Sequence, residues 1–337
     1  MQEDSTVNGD PRAEIDAIAQ GFMGAKVLFA ALELGLFARL ASEPLDTGTL
    51  AERLGLPGRG VRILAWALVA MGVLEDAGGG RLRVAARFAP LFADREYVAL
   101  LRHRNRLFRA WSVLEQTVRD GRPAHDQPDA LDDPEANEAF ILAMAAVSRE
   151  RAPRVLERLD LAGARRFADL GGGPGVYVEL ALRAHPQLRA SLIDLPLTLE
   201  VARRRLAGRP ELDRLEFLCW DFYREPGPGR EAGPFDRMLI SQVLHAASPG
   251  RNSELFARLR PLLAPGALVV VHENAREPDR AKPPAAALFA VNMLAMTEGG
   301  DTYTVEEIAR QAEAGGLALE GSERLDERSV VIRFRAG

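Results

Sequence analysis

Cysteine is almost absent from this sequence: Cys219 is the only one in 337 residues. One thiol closes no internal disulfide framework and builds no cysteine-based zinc site, and a cytoplasmic setting fits that composition. Net charge is nearly absent too. The 43 basic and 48 acidic residues leave −5, too weak a field to draw in nucleic acid or an anionic membrane. The opening Met1-Gln-Glu-Asp-Ser-Thr6 lacks the basic-then-apolar pattern of a signal peptide, so none is expected. Apolar stretches such as Ile63 to Val73 fall well short of the roughly 20 residues that span a bilayer, so no membrane partner is expected. There is no internal repeat, no low-complexity tract and no carboxylate cluster dedicated to Mg²⁺, so no metal is expected.

What is present is apolar content, at 47%, in a chain long enough for two domains of roughly 100 to 200 residues each. Residues 1–11 read as a disordered polar tail. From Arg12 to Leu40, Ile15, Ile18, Phe22, Val27, Leu28, Leu32, Leu36 and Phe37 recur at helical spacing and predict two helices. Thr47 to Leu54 and Val61 to Met71 read as a helix-turn-helix. Two short strands around Gly78-Gly79-Gly80, between Val73 and Val84, complete a winged-helix-like pattern over 12–98. A DNA-binding use of that unit is disfavoured by the acidic balance. Residues 99–160 read as further helices. Arg102, His103, Arg104, Arg106 and Arg109 form a solvated face there, opposite Leu107, Phe108, Trp111 and Leu114. Gly121 to Pro134 is a polar surface loop.

After Arg166 the pattern alternates. Strands are expected at Phe167–Leu170, Ala190–Ile193, Leu215–Cys219, Arg237–Ser241, Ala267–His272 and Ser329–Phe334, with helical stretches between most of them. Alternation predicts an α/β doubly wound parallel sheet over 161–337. The stretch Phe167-Ala-Asp-Leu-Gly-Gly-Gly-Pro-Gly-Val-Tyr177 is a strand running into a helix through glycines. A dinucleotide fingerprint needs G-x-G-x-x-G, but after Gly171 and Gly173 the next glycine is Gly175, and Val176 holds the required position. No Gly-Lys-Ser/Thr follows to hold a triphosphate. Asp169, acceptor-only when ionised, suits a cationic amine at this strand end better than a pyrophosphate. An amino-acid-bearing nucleoside, S-adenosylmethionine, is the ligand that fits.

With these residues in hand, the chain resembles the class I S-adenosylmethionine-dependent methyltransferases, whose first motif is D/E-x-G-x-G-x-G. More narrowly it is similar to the caffeate and acetylserotonin type of O-methyltransferase and its bacterial natural-product branch. Asp169-Leu-Gly-Gly-Gly-Pro-Gly175, Asp194-Leu195-Pro196, Asp221-Phe222, Leu244-His245, Pro265-Gly266, Asn292-Met293 and Glu298-Gly299-Gly300 carry the resemblance, in the family's order. It implies a Rossmann-like domain behind an N-terminal winged-helix-like dimerisation domain, a homodimer through the N-terminal helices, and methylation of a hydroxyl on a hydrophobic, aromatic small molecule of secondary metabolism. A late antiparallel strand is expected from the last segments.

In an open α/β sheet the ligand lies beyond the carboxyl ends of the strands. Four ends carry candidates for the cofactor: Asp169 with Gly171, Gly173 and Gly175; Asp194 with Leu195 for ribose hydroxyls; Asp221 with Phe222 for adenine; and Ser241. The competing structural readings are helix caps for the acids and a tight turn for the glycines. His245 is the best placed of five histidines to accept a hydroxyl proton, and the resemblance gives it the general-base role with Glu273 orienting it. Phe108, Trp111, Phe140, Met144, Phe289, Asn292, Met293 and Met296 are the candidate acceptor lining, apolar with a polar handle. The chain departs from the family at Leu244-His245-Ala246-Ala247, where Asp-Trp usually follows the histidine. It departs again at Thr302, where a second acid is usual, and Asp301 or Tyr303 are the candidates to compensate. The alternatives are carbon or nitrogen methylation, a non-methylating use of the same donor, and a winged-helix ligand-sensing regulator.

Overall fold

The structure is a computed structural model that describes residues 10–125, 132–279 and 281–337. Most of the expected N-terminal tail, and residues 126–131 of the expected surface loop, lie outside the described residues. The chain separates into two compact units, divided in sequence between Asn105 and Arg106.

In the first unit, α1 (Pro11–Gln20), α2 (Phe22–Glu33) and α3 (Leu36–Ser42) occupy the stretch read as two helices. The extra break falls at Gly35, whose left-handed φ of 79° is a conformation that glycine adopts without a Cβ penalty. Next come α4 (Thr47–Leu54) and α5 (Gly58–Ala70), and then β1 (Leu74–Asp76) pairs antiparallel with β2 (Leu82–Val84) as the expected wing. α4 starts where the Asp46 carboxylate accepts from the N–H groups of Gly48 and Thr49, a local N-cap. Leu36, Leu50, Ala65, Leu68 and Leu74 close a core. The unit continues through α6 (Ala89–Ala93) into α7 (Arg95–Trp111), which runs across the division. Ile15, Ile18, Phe22, Met23 and Trp66 remain more than half exposed. By length and composition alone, Pro11–Glu33 is apolar enough to cross a membrane, though only 17% of that window is buried. Its apolar residues are interrupted by polar ones and form no single continuous run.

The second unit opens with α8 (Leu114–Asp120) and α9 (Pro134–Leu156), and then alternates: β3 (Arg166–Leu170), α10 (Val176–Ala184), β4 (Arg189–Asp194), α11 (Pro196–Leu206), β5 (Leu215–Cys219), β6 (Phe235–Ser241), α12 (Pro249–Leu259) and β7 (Leu263–Arg276). α13 (Pro284–Met296), β8 (Tyr303–Thr304), α14 (Val305–Ala314), β9 (Leu317–Arg324) and β10 (Ser329–Ala336) complete it. The sheet order is β5-β4-β3-β6-β7-β10-β9, with β8 pairing the end of β7. The strands from β5 to β7 are parallel, and β10 enters antiparallel between β7 and β9, as the resemblance implied.

Two-residue periodicity distributes the sheet between two apolar layers. Val269 and Val271 of β7 pack with α12 and α14 through Phe256, Leu259 and Ile308. Leu268 and Val270 face the other way, toward α9 and α10 through Val155, Val178 and Leu182. β7 is longer than expected because its polar end, His272-Glu273-Asn274, is itself buried. β9 was not anticipated: it is an edge strand with little buried beyond Leu317, so it carries no apolar alternation. Gly315 shows how closely α12 and α14 pack, since a Cβ there would stand 2.3 Å from Phe256 Cβ and 2.8 Å from the Ala257 backbone nitrogen. Gly315→Ala is expected to lower stability by about 1–3 kcal/mol, read as a shift in the denaturant midpoint with the slope unchanged.

Candidate active site

β3 places Asp169 on the buried layer beneath α10. It is fully buried, and neither carboxylate oxygen accepts a hydrogen bond from a described residue. Burial, with a smaller contribution from the negative charge of Asp194, pushes its pKa up to about 8. The chain then turns through Gly171, Gly173 and Gly175, all at positive φ, and Gly175 is the residue from which α10 departs. A Cβ on Gly171 would come within 2.6 Å of Val243 Cγ2. One on Gly172 would come within 2.3 Å of Leu192 Cδ1 and 2.6 Å of Asp169 Oδ2. Gly172 is thus as constrained as the three motif glycines, although it stands at a variable place of the motif.

Asp194 ends β4 and reaches back to the loop. Its Oδ2 accepts from Gly173 N–H at 2.8 Å and its Oδ1 from Leu195 N–H at 2.8 Å. Burial raises its pKa to about 6 against the lowering effect of those bonds. Each oxygen retains acceptor capacity. Phe222 is nearly buried, with its ring edge 3.5 Å from where a Gly171 Cβ would stand.

Three placements correct the sequence expectations. β5 stops at Cys219, so Asp221 lies in the following turn, where its Oδ1 accepts from Tyr223 N–H and Arg224 N–H; the capping role is real for this acid. Glu273 lies within β7 rather than after it. The Asp301 carboxylate pairs with Arg276, while its N–H donates to the His245 carbonyl at 3.0 Å and the Tyr303 hydroxyl to the Ala247 carbonyl, so both residues brace backbone around the histidine turn and none of these bonds reaches the imidazole.

β6 ends at Ser241, whose hydroxyl lies 3.1 Å from Tyr177 Oη and 2.9 Å from His272 Nδ1. Burial holds the His272 pKa down at about 4, so this imidazole is neutral at ordinary pH. Neither partner was singled out from the sequence. Beyond Ser241, His245 sits in the short 3₁₀ turn Leu244–Ala246. Glu273 holds that turn at two points: Oε1 accepts from Leu244 N–H at 2.7 Å, and Oε2 lies 2.8 Å from His245 Nδ1. A neutral imidazole that donates from Nδ1 keeps its lone pair on Nε2. Asn252, also unanticipated, donates to the Leu244 carbonyl at 3.0 Å. Gly300 meets the turn from outside, where a Cβ would stand 2.3 Å from the His245 carbonyl oxygen.

Among the candidate lining residues, Phe289 of α13 packs edge-on against the His245 ring at 4.9 Å. Trp111 Nε1 donates to Asn292 Oδ1 at 3.1 Å. Met293 is buried, whereas Phe108, Phe140, Met144 and Met296 are half-buried. Among the described residues, no group of three or more His, Cys, Asp and Glu side chains could hold a metal ion.

A glycine turn after β3, acids at successive strand ends and an antiparallel β10 define the class I methyltransferase fold. Residues 111–317 match the O-methyltransferase domain and residues 17–92 the O-methyltransferase dimerisation domain, and the chain belongs to this O-methyltransferase family. It is 31% identical to the tetracenomycin polyketide synthesis 8-O-methyl transferase TcmO of Streptomyces glaucescens, over 90% of this chain and 91% of the relative. It is also 31% identical to the 3-hydroxy-5-methyl-1-naphthoate 3-O-methyltransferase of Streptomyces sahachiroi, over 86% and 85%. The solved mitomycin 7-O-methyltransferase MmcR is 28% identical, with a TM-score of 0.83 over 97% of this chain and 98% of that one. Human N-acetylserotonin methyltransferase in complex with S-adenosylmethionine, at 24% identity, shares the fold with a TM-score of 0.83 over 98% of this chain and 99% of that one.

The Asp169 carboxyl gives a pH test in the ligand-free protein. Its folded pKa is raised, so the stability it contributes is complete below about pH 4 and is lost as pH rises through about 8. From pH 5.5 to 8 the wild type should lose about 3 kcal/mol more than Asp169→Asn, at 1.36 kcal/mol per pH unit, in denaturant melts of both proteins at both pH values.

Proposed function

We propose that the protein methylates a hydroxyl group on a hydrophobic, aromatic small molecule, with His245 as general base. The observation that carries this is the His245 Nδ1 to Glu273 Oε2 pair at 2.8 Å, beside the Phe289 ring and at the same end of the sheet as the glycine loop. S-adenosylmethionine, when bound, supplies a methyl group already activated as a sulfonium. The residues fit it: the partnerless Asp169 carboxylate would hold the ammonium, Asp194 the ribose hydroxyls, the glycine loop the close-approaching backbone, and Phe222 the flat ring. Asp221 would take the adenine amine through Oδ2, its Oδ1 being engaged by backbone. Ser241 supports the loop side through Tyr177.

For the acceptor, the protein must align the hydroxyl, exclude water and remove one proton. A phenol with a pKa near 10 is largely protonated at neutral pH, so a base lowers the barrier. His245 accepts that proton at Nε2, and Glu273 fixes the tautomer and stabilises the imidazolium that forms. Phe289, Met293 and the Trp111–Asn292 pair supply an apolar wall with an amide handle, together with Phe108, Phe140, Met144 and Met296. The relatives named for a naphthoate and for a polyketide support an aromatic acceptor. The exposed Ile15, Ile18, Phe22, Met23 and Trp66 support a homodimer through the N-terminal helices, since a second copy would cover that apolar surface.

With phenolic and polyketide acceptors, product mass should rise by one methylene unit. His245→Ala should lower turnover by about 10²–10⁴-fold while affinity for S-adenosylhomocysteine stays within about twofold. Near-normal turnover in that variant contradicts the proposal.

A further inference from the structure

We infer that Arg205 is a positioning residue for the glycine loop: it fixes affinity for the methyl donor and its product from outside the site, without touching either. The inference rests on the assignment of the loop to the donor. Arg205 stands one residue before the end of α11, and its side chain is 12% exposed. Its Nη1 donates to the Pro174 carbonyl at 3.3 Å and to Glu179 Oε2 at 2.9 Å. Pro174 lies inside the loop, between Gly173 and Gly175. Glu179 lies in the first turn of α10, the helix that the loop launches, and its side chain is 9% exposed.

The next residue of α11 meets the same loop. A Cβ on Gly175 would stand 2.9 Å from Leu206 Cδ1, so Leu206 fills the space that the missing side chain leaves. From the other side, Gly173 N–H is held by Asp194. α11 starts two residues after Asp194, so a single strand-and-helix unit grips the loop at both ends: Asp194 from within and Arg205 with Leu206 from behind. Three glycines at positive φ make the loop intrinsically permissive. A loop that is only partly in its binding conformation loses affinity in proportion to that fraction. The Arg205 bond, charge-assisted and largely withdrawn from water, suppresses the other conformations.

Glu179 also pairs with Arg183 at 3.0 Å and Arg209 at 3.5 Å. Arg183 provides a control, since among the described residues its side chain bonds Glu179 and Glu211 and not the loop. The test measures S-adenosylhomocysteine affinity by calorimetry, together with KM for S-adenosylmethionine, kcat and melting temperature. Arg205→Met should bind about tenfold more weakly, equivalent to about 1.4 kcal/mol, with KM for the donor raised in step and kcat at saturating donor within twofold. Arg205→Lys, which keeps the charge but loses the planar fork, should fall between it and wild type, and it carries the test if Arg205→Met does not fold. Arg183→Met should leave affinity within twofold. Unchanged affinity in the folded Arg205 variants, or an equal loss in Arg183→Met, overturns the inference. Asp169→Asn is measured beside them: unchanged affinity there means that the assignment of the loop to the donor has failed, whatever the Arg205 variants do.

Discussion

A carboxylate buried without a partner is the constraint around which the C-terminal unit is arranged. Asp169 is the penultimate residue of β3, an interior strand, with apolar layers above and below the sheet and no donor for either oxygen among the described residues. Such a group is costly when ionised, and burial responds by holding the proton to a pKa of about 8. The cost is tolerable because the surrounding sheet buries Phe167, Leu170, Val269, Val270, Val271 and Phe334 completely. In the proposed function, that buried acid is what pairs with the ammonium of the methyl donor, giving up its proton as it does so. The glycines after it serve the same end, since a side chain at Gly172 would strike the carboxylate itself.

The half of the site around His245 is built on the neighbouring pair of strands by a different device. β6 carries the chain to Ser241 and then into the tight turn of His245, while β7 runs alongside and supplies Glu273 from within the strand. One carboxylate thereby fixes both the backbone of the turn, through Leu244 N–H, and the ring, through Nδ1. The Asp301 N–H and the Tyr303 hydroxyl bond backbone carbonyls around the turn rather than the ring, and Gly300 allows the close approach.

How much of this was legible in the sequence follows from how local each feature is. Asp169, the motif glycines and Asp194 were readable because the strand, the turn and the helix are contiguous. His245 and Glu273, 28 residues apart, could be paired only through the family resemblance. The far end of β7 was hidden because Glu273 and Asn274, beyond the expected end at His272, look like a loop and are buried by tertiary packing. β9 was hidden for the opposite reason, since an edge strand has almost nothing to alternate. Asp221 was placed at a strand end when it caps a turn two residues later. Arg205 gave no signal, because in the sequence an arginine in a helix reads as a solvated side chain, and its partners Pro174 and Glu179 lie on a preceding element.

The most direct measurement concerns the proton on Asp169. At pH 6.5 the buried acid is protonated while the amine of a free α-amino acid is charged, so pairing the two must release a proton to buffer. Calorimetry of S-adenosylhomocysteine binding, run in two buffers of different ionisation enthalpy, counts it. The wild type should release about one proton and Asp169→Asn almost none. Equal proton release in both proteins, or none in the wild type, would contradict this pairing.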